Sequence, residues 1–125
     1  MAYAAGSAAL DFMVKNQVAD HALELGETML AWLEDIKQES RIVGDVRGKG
    51  LMLGVELVRD KDSKEPAPGL AKKVRTLCHQ HGLLIEIGGH YDNVVRFLPP
   101  LILTRDLALK GIEIFADALK SAEAV

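Results

Sequence analysis

The 125-residue sequence has few cysteine and aromatic residues, and neither sign of charge is in large excess. Its single cysteine excludes an internal disulfide framework and gives no metal-binding spacing. Because 15 basic and 18 acidic residues are interspersed, no basic stripe indicates nucleic acid. No apolar run approaches the roughly 20 residues of a membrane helix. No basic segment followed by an apolar stretch marks a signal peptide. We therefore expect a cytoplasmic protein without nucleic-acid or membrane partners.

The remaining composition is that of an ordinary globular domain. Hydrophobic residues make up 49% of the chain and charged residues 26%, which is not a signature of disorder. A chain of this length fits one compact domain with a real core, but it is small for a complete metabolic enzyme.

Four segments have the periodicity of helices. Residues 2–16 are alanine-rich, and residues 18–40 carry an apolar face through five turns. A third helix begins near Leu70 and ends before Gly82, a residue suited to a left-handed cap. Thr104 is the expected N-cap of a final helix.

Three short apolar segments predict strands, at residues 51–58, 83–87 and 94–98. Pro99 and Pro100 end the last one, because proline cannot donate to a ladder. The order α-α-β-α-β-β-α favours an α+β fold in which a small, mostly antiparallel sheet carries helices on one face. Three strands offer too little surface to bury both long helices at the start of the chain, which indicates missing packing partners.

Arg96 is the strongest candidate for a functional side chain. It lies within the apolar strand VVRFLPP, where alternation places Val94 on its side of the sheet and Val95 on the other. A guanidinium there could hold a carboxylate through two parallel hydrogen bonds. The alternatives are an ion pair with Glu56 or Glu86, or an arginine on an edge strand that reaches water.

The other reactive residue types form no recognisable site. The glycines of VRGKGLMLG match neither the P-loop nor the dinucleotide fingerprint, and tight turns or bulges explain them. The four histidines have no metal-ligand spacing, and no serine lies in a nucleophile elbow. Cys78 falls on the apolar face of its helix, so we expect it in the core.

Two linked stretches, VGDVRGKGLMLGVELV and HGLLIEIGGHYDNVVRFLPPLILT, resemble the C-terminal domain of class III aminotransferases. Those enzymes share a V-R-G-x-G-L-M-x-G-[IV]-E strand, a G-L-L segment and an N-V-[IVL]-R-[FI]-L-P-P-L-x-[IL]-T signature. The opening AYAAGSAALDFM is similar to the helix after their cofactor-binding region. Within the class, AAGSAALDFM and IEIGGHYDNVVRFLPPL look most like diaminobutyrate–2-oxoglutarate aminotransferases.

The resemblance implies a role for Arg96 and a cofactor outside this chain. Arg96 occupies the position of the arginine that binds a substrate carboxylate in these enzymes. Their pyridoxal phosphate is held by a lysine, an aspartate and a phosphate loop of the large domain, upstream of the similar segment. No lysine here lies in a matching motif. We therefore expect no catalytic or cofactor-binding residue in this chain and no transamination by it alone.

The resemblance also implies a division of the chain. Residues 1–40 would link to and pack on an absent large domain, and residues 41–125 would form the small C-terminal α+β domain. The expected partners are that large domain, amino-acid and 2-oxoglutarate substrates, and a second copy in a homo-oligomer. The alternative is a stand-alone binding or dimerisation module. The chain begins within a predicted helix without a capping residue, which favours the first interpretation.

Overall fold

The structure, a computed structural model, describes residues 1–124. They form four helices and one four-stranded sheet. The elements are α1 (Ala2–Lys15), α2 (Val18–Glu39), β1 (Val43–Lys49), β2 (Met52–Leu57), α3 (Pro68–Gln80), β3 (Glu86–Gly88), β4 (Val94–Phe97) and α4 (Arg105–Glu123). The expected α+β class and antiparallel sheet are confirmed.

The sheet has the order β1-β2-β4-β3, and each neighbouring pair is antiparallel. The sequence prediction missed β1, so the true order is α-α-β-β-α-β-β-α. The segment VGDVRGK lacks a regular apolar alternation, and only its start is buried. It forms a strand because β2 supplies hydrogen-bond partners along its length and α2 packs against it.

The other two predicted strands are displaced or shortened. Regular pairing in the predicted segment 83–87 begins only at Glu86, and β4 ends at Phe97 rather than at residue 98. Gly82 has a φ of +85°, and Thr104 Oγ1 accepts a hydrogen bond from the Leu107 amide at 3.4 Å. Both predicted helix boundaries are therefore confirmed.

The core lies between the sheet and helices α2, α3 and α4. Alternate strand residues face these helices and are buried: Leu53, Val55, Leu57, Val95 and Phe97. The face of α2 that contains Leu25, Met29 and Leu33 joins the same core. In contrast, α1 has no buried residue, although its segment is alanine-rich. The sheet thus buries one of the two long helices.

No helix of residues 1–124 packs on the opposite side of the sheet, which we call the open face. By strand alternation it includes Met52, Gly54, Glu56, Glu86, Gly88, Val94 and Arg96. None of the helices within residues 1–124 combines the length and apolarity that crossing a membrane requires.

Candidate functional site

Arg96 lies on the open face, on an inner strand. Its neighbours Val95 and Phe97 are buried on the opposite side, whereas Arg96 itself is exposed, as the alternation predicted. Strand β4 pairs with β2 on one side and β3 on the other. The edge-strand alternative for Arg96 is therefore wrong.

No ion pair within the described chain, residues 1–124, includes Arg96. Glu56 is held by Arg47, whose Nη1 lies 2.9 Å from Glu56 Oε2. Glu86 is opposite Arg96 in the β3–β4 register, but the two side chains are not within ion-pair distance. The structure therefore gives no support to a structural ion pair as the reason for this arginine.

A shallow groove of about 390 Å³ runs across the open face beside Arg96. It is lined by Arg47, Gly48, Met52, Leu53, Gly54, Val94, Arg96 and Leu98. Gly54 is the residue opposite Arg96 on β2, so no side chain from that position covers the arginine.

The charge of Arg47, the second arginine of the groove, is already compensated. Its Nη1 donates to Asp45 Oδ2 at 2.6 Å as well as to Glu56. These hydrogen bonds, first to Asp45 and then to Glu56, raise the pKa of Arg47 above its usual value. Lys37 on α2 extends the cluster, with its Nζ 3.9 Å from Asp45 Oδ1. An incoming carboxylate would therefore meet Arg96 as the groove's uncompensated cation.

Asn93 fixes the start of β4, three residues before Arg96. It is 2% exposed, and its Nδ2 donates to the carbonyl oxygen of Leu57 at 2.9 Å. In return, the Leu57 amide donates to the Asn93 carbonyl oxygen at 2.8 Å. Sequence reasoning did not single out Asn93. The available signal was a polar amide directly before an apolar strand.

The remaining candidates have structural roles. One ring nitrogen of His21 lies 2.8 Å from the carbonyl oxygen of Leu103, and one of His79 lies 3.1 Å from that of Ile85. No group of three metal-ligating side chains occurs in residues 1–124. Gly50 has a φ of +55° in the β1–β2 turn, as expected for a turn glycine. Cys78 is buried in the core, and this burial raises the pKa of its thiol to about 11.

An apolar cavity of about 260 Å³ lies on the helical side of the sheet, between α4 and the segment after β4. Phe97, Pro99 and Ile112 are among its lining residues, and none of the lining side chains is charged. The cavity offers nothing to orient a charged substrate. The groove beside Arg96 is therefore the better candidate site.

The lysines of residues 1–124 do not fit the role of binding pyridoxal phosphate covalently. None of them is buried, and a reactive amine needs desolvation or a neighbouring cation to lose its proton near neutral pH. Lys37, Lys61 and Lys64 are instead engaged with carboxylate or carbonyl oxygens at 2.9 Å or less. These lysines therefore supply no chemical step on this cofactor.

Comparison with known proteins places the chain in a broader context. An alanine/serine racemase of Pyrococcus horikoshii is 40% identical over 117 residues, which are 94% of this chain and 24% of that protein. The mitochondrial alanine–glyoxylate aminotransferase 2 of Homo sapiens is 36% identical over 120 residues, or 95% and 23%. A solved phospholyase from Arthrobacter, in complex with phosphoethanolamine, matches with a TM-score of 0.90 and 36% identity over 94% of this chain and 28% of that one.

The chain spans about a quarter of the length of the curated relatives that it matches. The family model described as "Aminotransferase class-III" matches residues 1–119, which is nearly the whole chain. Such coverage, together with the shared fold, establishes the family: this chain belongs to the class III aminotransferases, a family of pyridoxal-phosphate-dependent enzymes.

Proposed function

We propose that this chain is the C-terminal part of an enzyme that transfers an amino group from an amino acid to 2-oxoglutarate, and that Arg96 binds a substrate carboxylate. One observation carries the role of Arg96. The guanidinium is exposed on an inner strand beside a groove, without a carboxylate partner in residues 1–124. A planar, permanently charged fork in this setting suits a carboxylate, which accepts two parallel hydrogen bonds.

The favoured amino donor is a diamino or ω-amino acid, with 2,4-diaminobutyrate first. This choice rests on the likeness of AAGSAALDFM and IEIGGHYDNVVRFLPPL to diaminobutyrate–2-oxoglutarate aminotransferases. The groove itself explains recognition of a carboxylate, which donor and acceptor share. The second amino group of the donor requires contacts outside this groove.

Pyridoxal phosphate would be held by a large domain that precedes this segment in the full protein. The cofactor supplies the chemistry that moves the amino group, and the present chain supplies the binding of the substrate carboxylate. We therefore propose that residues 1–124 alone do not catalyse transamination. A cytoplasmic location belongs to the same proposal.

The exposed helix α1 supports the proposed packing on a large domain. Its apolar side chains Leu10, Phe12 and Val14 are more than half exposed, and no residue of the helix is buried. In the proposed division, residues 1–40 link the two domains and residues 41–125 form the small domain. Within residues 1–124, α2 also packs on the small sheet through its inner face. A homo-oligomer is a further means of covering α1.

The racemase relative favours a second candidate reaction. A racemase inverts an amino acid without an acceptor, whereas an aminotransferase needs a 2-oxo acid. Incubating the full-length protein with an L-amino acid, with and without 2-oxoglutarate, separates the two reactions. Suppose that the D-amino acid forms without 2-oxoglutarate and that no glutamate forms when 2-oxoglutarate is present. The proposed amino transfer would then be replaced by racemisation.

Arg96→Ala in the full-length enzyme tests the role of the arginine. We expect the KM for 2-oxoglutarate to rise about 10- to 100-fold, since a charge-assisted bidentate pair is lost. Arg59→Ala is the matched control, because Arg59 is an exposed arginine on the loop after β2, 3.5 Å from Glu65. An unchanged KM in Arg96→Ala would reject the proposed site.

A further inference from the structure

We infer that Gly88 is a positioning residue for Arg96, which makes this glycine part of the substrate-carboxylate site. The inference rests on the proposed function of Arg96 and adds a second residue to it. Gly88 lies on β3, the strand beside Arg96, and faces the same side of the sheet.

The side chain of Arg96 lies over Gly88. A Cβ atom built at position 88 would be 2.8 Å from Nε, 2.9 Å from Cζ and 3.2 Å from Cδ of Arg96. Carbon atoms in ordinary contact are about 3.5–4.0 Å apart. The guanidinium therefore occupies the space that any side chain at position 88 would need.

The backbone at this position does not itself require glycine. Gly88 is not among the residues with positive φ, whereas its neighbour Gly89 has a φ of +86°. Any L-residue could adopt the extended conformation of Gly88 in β3. What excludes a side chain at position 88 is the arginine, and not the strand.

The register explains why the arginine takes this direction. Glu86 is directly opposite Arg96 and Gly88 is two residues further along β3, opposite Val94. The Arg96 side chain therefore runs diagonally across β3 toward the position without a side chain. Resting on backbone there removes part of its rotational freedom, which lowers the entropy lost when the fork binds a carboxylate.

A methyl group at position 88 should move the arginine without unfolding the protein. It would meet the far end of a flexible side chain rather than backbone, so Arg96 can turn aside. The guanidinium would remain present and charged, but in the wrong place for a two-point contact. Gly88→Ala thus tests the position of the guanidinium without removing its charge.

The test is the binding of glutarate, an unreactive dicarboxylate, to the full-length enzyme, measured by calorimetry. We expect Gly88→Ala to raise the Kd of glutarate about ten-fold, as for the loss of one charge-assisted hydrogen bond. The matched control is Gly69→Ala, since a Cβ at Gly69 has no atom within 4 Å and its φ is not positive. This control should leave the Kd unchanged.

A double variant shows whether Gly88 acts through Arg96. In the Arg96→Ala background, Gly88→Ala should add no further loss, because the side chain that it displaces is gone. A Kd unchanged by Gly88→Ala while Arg96→Ala weakens binding would overturn the role of Gly88 and leave the proposed function intact. The same holds if Gly88→Ala causes equal loss in both backgrounds. No weakening by Arg96→Ala would reject the proposed function itself.

Discussion

Arg47 Nη1 lies 2.9 Å from Oε2 of Glu56, across the β1–β2 pair and on the same face of the sheet as Arg96. Glu56 is also a diagonal neighbour of Arg96, since Glu56 pairs with Val94 and Arg96 pairs with Gly54. Diagonal positions on a sheet are within reach of long side chains. If Arg96 binds a substrate carboxylate as proposed, the hold of Arg47 on Glu56 would keep this neighbouring carboxylate from competing for Arg96.

Removing Arg47 should therefore weaken substrate binding indirectly, through Glu56. In Arg47→Leu, Glu56 becomes available to Arg96, and we expect the KM of the full-length enzyme for 2-oxoglutarate to rise several-fold. Adding Glu56→Gln should return the KM for 2-oxoglutarate to its original value, because the competing negative charge is then gone. A loss of similar size in the double variant would show that Arg47 contacts the substrate itself. Steady-state kinetics distinguishes the two.

Gly26→Ala should destabilise the fold strongly. A Cβ at Gly26 would lie 2.8 Å from the Cα of Gly50 and closer still to its carbonyl group, so helix α2 and the β1–β2 turn would have to separate. We expect a loss of about 3 kcal/mol in the free energy of unfolding by urea. Gly69→Ala, which replaces a glycine with open space around it, should be neutral or slightly stabilising.

Asn93→Asp should lower stability in a pH-dependent way. An ionised carboxylate cannot donate to the Leu57 carbonyl as the Asn93 amide does, so we expect a cost of about 1–3 kcal/mol near neutral pH. A protonated carboxyl can donate, and the deficit relative to the unsubstituted chain should shrink as the pH falls toward 4. Urea unfolding of both chains across this range measures it. A deficit independent of pH would contradict the assigned hydrogen bond.

Cys78 should make the fold less stable at alkaline pH. Burial raises the pKa of its thiol from 9.0 to about 11, so the folded chain holds the thiol proton more tightly than the unfolded chain. Stability is therefore unaffected below about pH 9 and falls as the pH rises toward 11. Cys78→Ala should lack this component, although it also leaves a small cavity. Comparing the pH dependence of the free energy of unfolding between Cys78→Ala and the unsubstituted chain isolates the contribution of the thiol.

The parts of the fold that the sequence predicted are those with strong local signals. The periodic faces of α2 and α4, the Thr104 cap and the left-handed Gly82 need only neighbouring residues to be recognised. Strand β1 has no such signal, because its stability comes from pairing with β2. Similarly, the burial of α2 and the exposure of α1 depend on which surface each helix meets.

The candidate site divides in the same way. Strand alternation was enough to place Arg96 on the other face of the sheet from Val95 and Phe97. The motif around Arg96 was enough to indicate the family. The roles of Gly88 and Asn93 were not visible, since each depends on a contact with another strand.

The amino-acid pattern alone was therefore enough to assign the family, the α+β class and Arg96 as the candidate functional arginine, because these follow from short-range order and motif content. Three features became visible only in the folded chain: β4 is an inner strand, Arg47 holds Glu56, and Arg96 lies over Gly88. Strand order and register bring together residues that are distant in the chain. The charge balance around a guanidinium is set by those neighbours, and not by the residues beside it in sequence.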